Sequence, residues 1–282
     1  MGETQTVVIV GGVAGGASTA ARLRRLREDM NIIVLERSGY VSFANCGLPY
    51  HLSSTIVDRN DLLLQTPQSL RERFRLDVRV RSEVTAIDRA HRTLTVTDLD
   101  TGNEYVQAYD ALVLSPGAAP IVPDIPGAHR GLVLRDIEDL DRMLERLTDA
   151  RSVVVVGGGF IGLEAAENLN EADKSVTVVE MADQLLAPLD VEMARPLERE
   201  LARHGVTVEL SNSVVAIDEG KAQLADGRVI PADLVVFAIG VRPDGKLAEA
   251  AGLPIGTRGG IVADANQQTM DPHIGAVGDA VE

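Results

Sequence analysis

The stretch VVIVGGVAGG, Val7 to Gly16, decides the fold, because its plan recurs at VVVVGGGFIG, Val153 to Gly162. Each begins as an unbroken apolar run, the mark of a parallel strand buried on both faces. Each run ends in a glycine turn and enters a helical stretch, Ala- and Arg-rich after Gly16 and LEAAENLNEA (163–172) after Gly162. A second apolar run follows, IIVLE (32–36) in one case and VTVVE (176–180) in the other. Strand, glycine turn, helix, strand is the opening of a doubly wound nucleotide-binding unit. The chain is therefore read as an α/β protein with two Rossmann-like dinucleotide-binding domains.

The turns carry chemistry. The first glycine, Gly11 or Gly157, turns the chain sharply out of the strand, and the last, Gly16 or Gly162, lets helix and strand pack closely. The small residue between them lets a pyrophosphate approach the backbone, and the helix N-terminus aims free N–H groups at it. Glu36 and Glu180 end the second strands, where a carboxylate accepts hydrogen bonds from ribose hydroxyls. Gly157, Gly159 and Gly162 satisfy G-x-G-x-x-G, whereas Val13 stands where the first loop should have its middle glycine. A carboxylate at Glu180 repels a 2′-phosphate, and no arginine follows it in EMADQ (180–184), so NAD(H) is favoured over NADP(H).

A chain of 282 residues has room for about two domains of roughly 150 residues. Its net charge of −15 argues against a nucleic-acid partner. Arginines still cluster at Arg22, Arg24, Arg25 and Arg27, and at Arg71, Arg73 and Arg75. Such a patch suits a phosphorylated small molecule, or is simply a solvated helix face; both readings stay open. No apolar run approaches the roughly 18 residues of a membrane span. The first strand begins too near Met1 for a secretory signal, and it also argues against acylation of Gly2, although MGETQT fits that pattern loosely. One cysteine makes no internal disulfide, so a reducing cytoplasm is expected; no metal site is read.

Elsewhere, residues 79–88 and 93–98 alternate like strands, and 110–120 is a strand entering a Pro/Gly turn. Residues 121–131 read as linker, 137–148 as an amphipathic helix, and 206–210, 213–218 and 221–224 as short strands, with a turn at Asp226-Gly227.

Around the cysteine the chain reads SFANCGLPY, Ser42 to Tyr50. With GGVAGGAS (11–18), LSPGA (114–118), GGGFIGLE (157–164), AIGVRP (238–243) and AVGDAVE (276–282), it closely resembles the coenzyme A-disulfide reductase group. That group belongs to the FAD-dependent pyridine nucleotide-disulfide oxidoreductases and includes coenzyme A persulfide reductases. The resemblance implies that the first loop, with Gly11, Val13, Ala14, Gly16 and Glu36, binds the ADP half of FAD. The second, with Gly157, Gly159, Gly162 and Glu180, would bind NAD(H). The FAD domain would be discontinuous: 1–119, then the NAD(H) domain 120–243, then 244–282. Asp279 would contact the ribityl or pyrophosphate region of FAD, its alternative being an ordinary turn or helix-cap aspartate. Arg37, Val84, Ser115, Pro116, Gly117, Phe160, Ile161, Gly240 and Gly278 are carried over as further cofactor contacts.

A lone cysteine is either a small core hydrophobe or a reactive thiol. Pro49 suits the first turn of a helix, whose N-terminus would favour a thiolate at Cys46. The resemblance implies that NADH reduces FAD and that FAD then reduces Cys46 bonded to an outer sulfur. With no second cysteine, that sulfur comes from coenzyme A disulfide or persulfide. Ser42 and Asn45 orient the thiolate or the flavin, or merely form the turn; His51 reads as a surface or capping residue rather than a proton donor. Arg22 and Arg25, on one helical face, and Thr66 are carried over as coenzyme A contacts. NADH oxidases and peroxidases, cycling a sulfenic acid, are the rival reading. Their first loop carries a histidine where this chain has Ala14. Past Glu282 the family continues into a dimerisation domain absent from this sequence, and full-length relatives are expected to be homodimers. A flavin-fold redox-sensing module without turnover is the non-enzymatic alternative.

Overall fold

A computed structural model describes residues 4–282, so Gly2 lies outside the described residues. The chain forms two compact units: one holds the chain up to Ala44 with Leu63–Ala119 and Arg242–Glu282, the other Asn45–Leu62 with Pro120–Val241.

The first unit is built on a five-stranded parallel sheet in the order Ile274–Ala276, Ala111–Leu114, Thr6–Val10, Asn31–Leu35, Asp77–Arg79. Strand residues point alternately to the two faces, which explains the unbroken apolar run at Val7–Val10. Val7 and Ile9 pack with Ala20 of the helix Ala14–Leu26 and with Leu70 and Leu76. Val8 and Val10 pack instead with Val84, Leu94 and Val96 of a three-stranded antiparallel sheet, Ser82–Asp88, Thr93–Asp98 and Glu104–Ala108. The segment 79–88, read as one strand, is two. Arg81 adopts a left-handed φ of 54° and turns the chain from the parallel sheet into the antiparallel one. The strand Glu104–Ala108 was not anticipated; its burial alternates only between half-buried and exposed.

The second unit repeats the plan. Its four-stranded parallel sheet runs Thr207–Glu209, Ser175–Val179, Ser152–Val156, Leu234–Phe237, and its antiparallel sheet is Val214–Asp218, Lys221–Leu224, Val229–Pro231. Val154, Val156 and Val235 pack on Val214, Ile217 and Leu224 of the small sheet. The helix Ile137–Leu147 starts at a capping box made by Asp136 and Asp139 and buries Leu140, Met143 and Leu147, as its periodicity predicts. The helix Val191–Arg203 was not anticipated: Ala194, Leu197 and Leu201 fall on one face at helical spacing, but the internal Pro196 reads as a helix breaker.

One segment within the expected 1–119 stretch lies apart from the rest of it. Residues 45–62 pack in the second unit. Their short helix, Leu48–Leu52, buries Leu48, Pro49 and Leu52, and it contacts the helices Ile137–Leu147 and Phe160–Glu171. Five residues are too few for a helical period to show in sequence.

Candidate functional site

In the first unit, four neighbouring parallel strands end at the predicted cofactor residues. Gly11 follows the strand Thr6–Val10, Glu36 follows Asn31–Leu35, Ser115 follows Ala111–Leu114, and Gly278 lies just past Ile274–Ala276. The carboxyl edge of a parallel sheet is where ligands bind in such folds. Gly11 has φ +96°, and a Cβ there would lie 2.0 Å from the Ser115 carbonyl oxygen; a Cβ on Gly16 would lie 1.8 Å from the Gly11 oxygen. Both glycines are thus demanded by the protein's own backbone. The Glu36 carboxylate, buried at 7% exposure, accepts the N–H of Gly12 at 2.7 Å and of Ser38 at 2.8 Å. No side chain caps the helix that starts after Val13, so its first N–H groups have no capping partner. Asp279 is exposed and makes no hydrogen bond or ion pair among the described residues; the cap of its short turn is Val277. Arg37 is paired with Asp244 at 3.3 Å, and the Val84 side chain lies in the core, leaving only its main chain for a ligand. Pro116 and Gly117 continue the turn, Gly117 with φ +73° and its oxygen accepting the Asp244 N–H at 2.9 Å.

The second unit reproduces this geometry. Gly157 has φ +112° and faces the Ala238 oxygen, 2.4 Å from a would-be Cβ, while Gly162 faces the Gly157 oxygen at 2.0 Å. Glu180 accepts the N–H of Gly158 at 2.6 Å and of Ala182 at 2.7 Å. Gly159 differs in kind: nothing lies within 4 Å of a Cβ placed there. The fold itself does not require that glycine, so open space above it fits the approach of a pyrophosphate. Phe160 and Ile161 are 65% and 44% exposed at the start of an uncapped helix, and Gly240, φ +107°, is exposed past Leu234–Phe237. Carboxylate, glycine cradle and uncapped helix together fit a dinucleotide in each unit.

Cys46 sits in a 3₁₀ turn, Asn45–Gly47, and is exposed, so it does not serve as core packing. The expected helix follows with Pro49 in its first turn and is five residues long. Asn45 donates from Nδ2 to the Arg135 oxygen at 3.2 Å, tying the turn to the residues before the helix Ile137–Leu147. The Arg135 N–H in turn donates to Asp139 Oδ2 at 2.9 Å. Burial and the neighbouring Asp136 push the Asp139 carboxyl above its ordinary value despite that bond and one from Arg142. His51 Nδ1–H donates to the Ile56 oxygen at 2.7 Å and closes the loop behind the helix, in keeping with a structural rather than a proton-donating role. Ser42 belongs with the first unit, where its N–H donates to the Gly12 oxygen at 3.0 Å.

The arginine clusters resolve into distinct roles. Arg24 is buried and donates to five carbonyls, those of Phe74, Arg75, Arg27, Glu28 and Met30. Arg27 pairs with Asp29 and Arg75 with Glu28. Arg22 and Arg25 are exposed and form no ion pair among the described residues. Thr66 caps the helix Pro67–Phe74 in a reciprocal capping box with Ser69. Among the described residues no cluster of His, Cys, Asp or Glu is placed to hold a metal ion, and no helix is long and apolar enough to cross a membrane.

Sequence reasoning missed what holds the cysteine segment. Asn168, 1% exposed, accepts from Ser53 Oγ at 2.6 Å and donates to the Glu164 oxygen at 2.8 Å. Arg59 grips Asp141 through two bonds, at 2.7 and 2.6 Å. The signal for Asn168 was legible: an asparagine on the apolar face that Ala165 and Leu169 mark out has a poor helix propensity and demands a partner.

A pyridine nucleotide-disulphide oxidoreductase family model matches residues 5–282. The chain is 32% identical over 279 residues to coenzyme A disulfide reductase of Staphylococcus aureus, covering 97% of this chain and 63% of that protein. Reduced Bacillus anthracis CoADR-RHD superposes with a TM-score of 0.97 at 46% identity, over 100% of this chain and 52% of that one. An NAD-dependent persulfide reductase from A. fulgidus gives 0.95 at 37% identity, over 99% of this chain and 54% of that one. The chain thus spans between about half and two thirds of the length of these relatives.

Proposed function

We propose that this chain, which belongs to the pyridine nucleotide-disulphide oxidoreductase family, is the FAD- and NAD(H)-binding part of an oxidoreductase that reduces coenzyme A disulfide or persulfide through Cys46. The observation that carries the reading is the pair of matching carboxylate–glycine cradles in a chain whose single cysteine is exposed. The relatives named above for coenzyme A disulfide and persulfide reduction support the acceptor class.

In this reading the Glu36 cradle holds the adenosine half of FAD, with Asp279 free to accept from its ribityl or pyrophosphate region. The Glu180 cradle holds NAD(H), and the absence of an arginine in Met181–Gln184 supports NAD(H) over NADP(H). Bound FAD would supply two-electron transfer between the nicotinamide and sulfur. The Cys46 thiolate attacks the outer disulfide, forms a mixed disulfide and releases one thiolate. Two electrons then cleave that bond, release the second sulfur as its thiolate, which takes a proton from water, and regenerate the Cys46 thiolate. Arg22 and Arg25, exposed and in no ion pair among the described residues, offer charge to the phosphates of coenzyme A, and Thr66 lies at the cap of the neighbouring helix. Homodimerisation and a cytoplasmic setting belong to the same proposal.

NADH oxidation is measured with coenzyme A disulfide, coenzyme A persulfide, peroxide and oxygen side by side, in the full-length protein. Faster turnover with either coenzyme A substrate supports the reading; preference for peroxide or oxygen refutes it. On NADH titration a long-wavelength thiolate-to-flavin band should appear and be lost in Cys46→Ser. A band unchanged by that substitution removes Cys46 from the reaction.

A further inference from the structure

We propose that Ser42 acts through its backbone as a clasp on the first glycine loop, and that Leu186 is the equivalent clasp on the second. Both residues adopt the left-handed conformation that side chains disfavour, Ser42 with φ 47° and Leu186 with φ 46°. The Ser42 N–H donates to the Gly12 oxygen at 3.0 Å, and the Leu186 N–H donates to the Gly158 oxygen at 2.9 Å.

The residues just before them wall the same glycines. A Cβ on Gly12 would lie 2.7 Å from Val41 Cγ1 and 3.3 Å from Glu36 Cβ. A Cβ on Gly158 would lie 2.5 Å from Leu185 Cδ2 and 3.2 Å from Glu180 Cβ. The acid takes each glycine's N–H, at 2.7 Å for Gly12 and 2.6 Å for Gly158, while the clasp takes its carbonyl. Both backbone polar groups of the loop's second glycine are thereby held by the protein's own contacts.

The two clasps share no side-chain chemistry, one being a serine and the other a leucine with 8% exposure. The Ser42 hydroxyl makes no hydrogen bond among the described residues. What they share is a strained backbone conformation at the same place in each repeat, and strain kept twice marks a geometric requirement of the loop. Ser42 is therefore a positioning residue for the first nucleotide loop rather than a group that orients the thiol.

The inference rests on the assignment of the first loop to FAD and the second to NAD(H). Its test is binding by the full 282-residue chain: FAD by quenching of flavin fluorescence, NADH by nicotinamide fluorescence. Substitutions that tolerate a left-handed backbone, Ser42→Gly and Ser42→Asn, should keep the FAD Kd within about twofold. Branched Ser42→Val should weaken FAD about tenfold and leave NADH alone, and Leu186→Val should do the converse; tenfold is the factor 1.4 kcal/mol gives. If Ser42→Gly and Ser42→Asn lose FAD as Ser42→Val does, the hydroxyl matters and the clasp is wrong. If each valine variant weakens both ligands equally, the effect is general destabilisation and the clasp is again wrong. If Ser42→Val instead weakens only NADH, the clasp stands and the assignment of ligands to loops falls.

Discussion

Glu36→Gln isolates the contact on which the first cradle depends. One buried carboxylate serves two backbone donors, Gly12 N–H at 2.7 Å and Ser38 N–H at 2.8 Å, one on each oxygen. Glutamine keeps one acceptor and turns an NH₂ towards the other donor, leaving that N–H unsatisfied at a site with 7% exposure. A hydrogen bond to a charged group contributes about 1.5–3 kcal/mol, and stranding a buried donor costs about 1–3 kcal/mol; these overlap, so a loss of about 2–3 kcal/mol is expected. Glu180→Gln repeats the chemistry at a half-buried site, where water can replace the lost acceptor, so it should cost about 1 kcal/mol less. The chain has no tryptophan, so urea unfolding is followed by far-ultraviolet circular dichroism. With an m-value of about 2–3 kcal/mol per molar, the Glu36→Gln midpoint should fall by roughly 1 M. A midpoint within about 0.2 M of wild type, or a larger fall for Glu180→Gln, would refute the idea that the buried carboxylate ties the loop together.

Three further outcomes are expected. Arg24→Met removes five hydrogen bonds to carbonyls and should destabilise the first unit by at least about 3 kcal/mol, whereas Arg22→Ala and Arg25→Ala should stay within about 0.5 kcal/mol in the same urea assay. Ser53→Ala should strand Asn168 Oδ1 and cost about 1–2 kcal/mol, with faster hydrogen exchange in residues 48–52, while Ser53→Thr, which keeps the hydroxyl, should restore both. Asp233 accepts from the N–H groups of Ser152 and Arg151 and from the Ser152 hydroxyl, which hold its carboxyl below the ordinary 3.8. A depressed carboxyl contributes stability that is present above the unfolded value and lost as pH falls through the folded one. Asp233→Asn should therefore flatten the acid limb of the stability curve below about pH 4 and leave its slope above pH 5 unchanged.

Much of the scaffold was legible because its signals are local. The runs Val7–Val10 and Val153–Val156 announce strands covered on both faces, and the glycines that end them are imposed by backbone contacts within each βα turn. Glu36 and Glu180 could be picked out by position alone. The division of the segment 79–88 was not legible, because a single left-handed Arg81, not a glycine, makes the turn. Nor was the helix Val191–Arg203, whose internal Pro196 argues against a helix although Ala194, Leu197 and Leu201 keep a helical spacing.

Sequence alone determined the repeated nucleotide-binding plan, the two acids and the absence of an internal partner for Cys46, since each depends on neighbours in the chain or on a simple count. Only the tertiary structure decided which unit carries the cysteine. Residues 45–62 join the second unit because Leu48, Pro49 and Leu52 bury against its helices while Ser53 and Arg59 find Asn168 and Asp141 there. Those partners lie more than eighty residues away in sequence. Packing and hydrogen bonding over such distances leave no periodic trace in the chain, so no reading of consecutive residues could assign them.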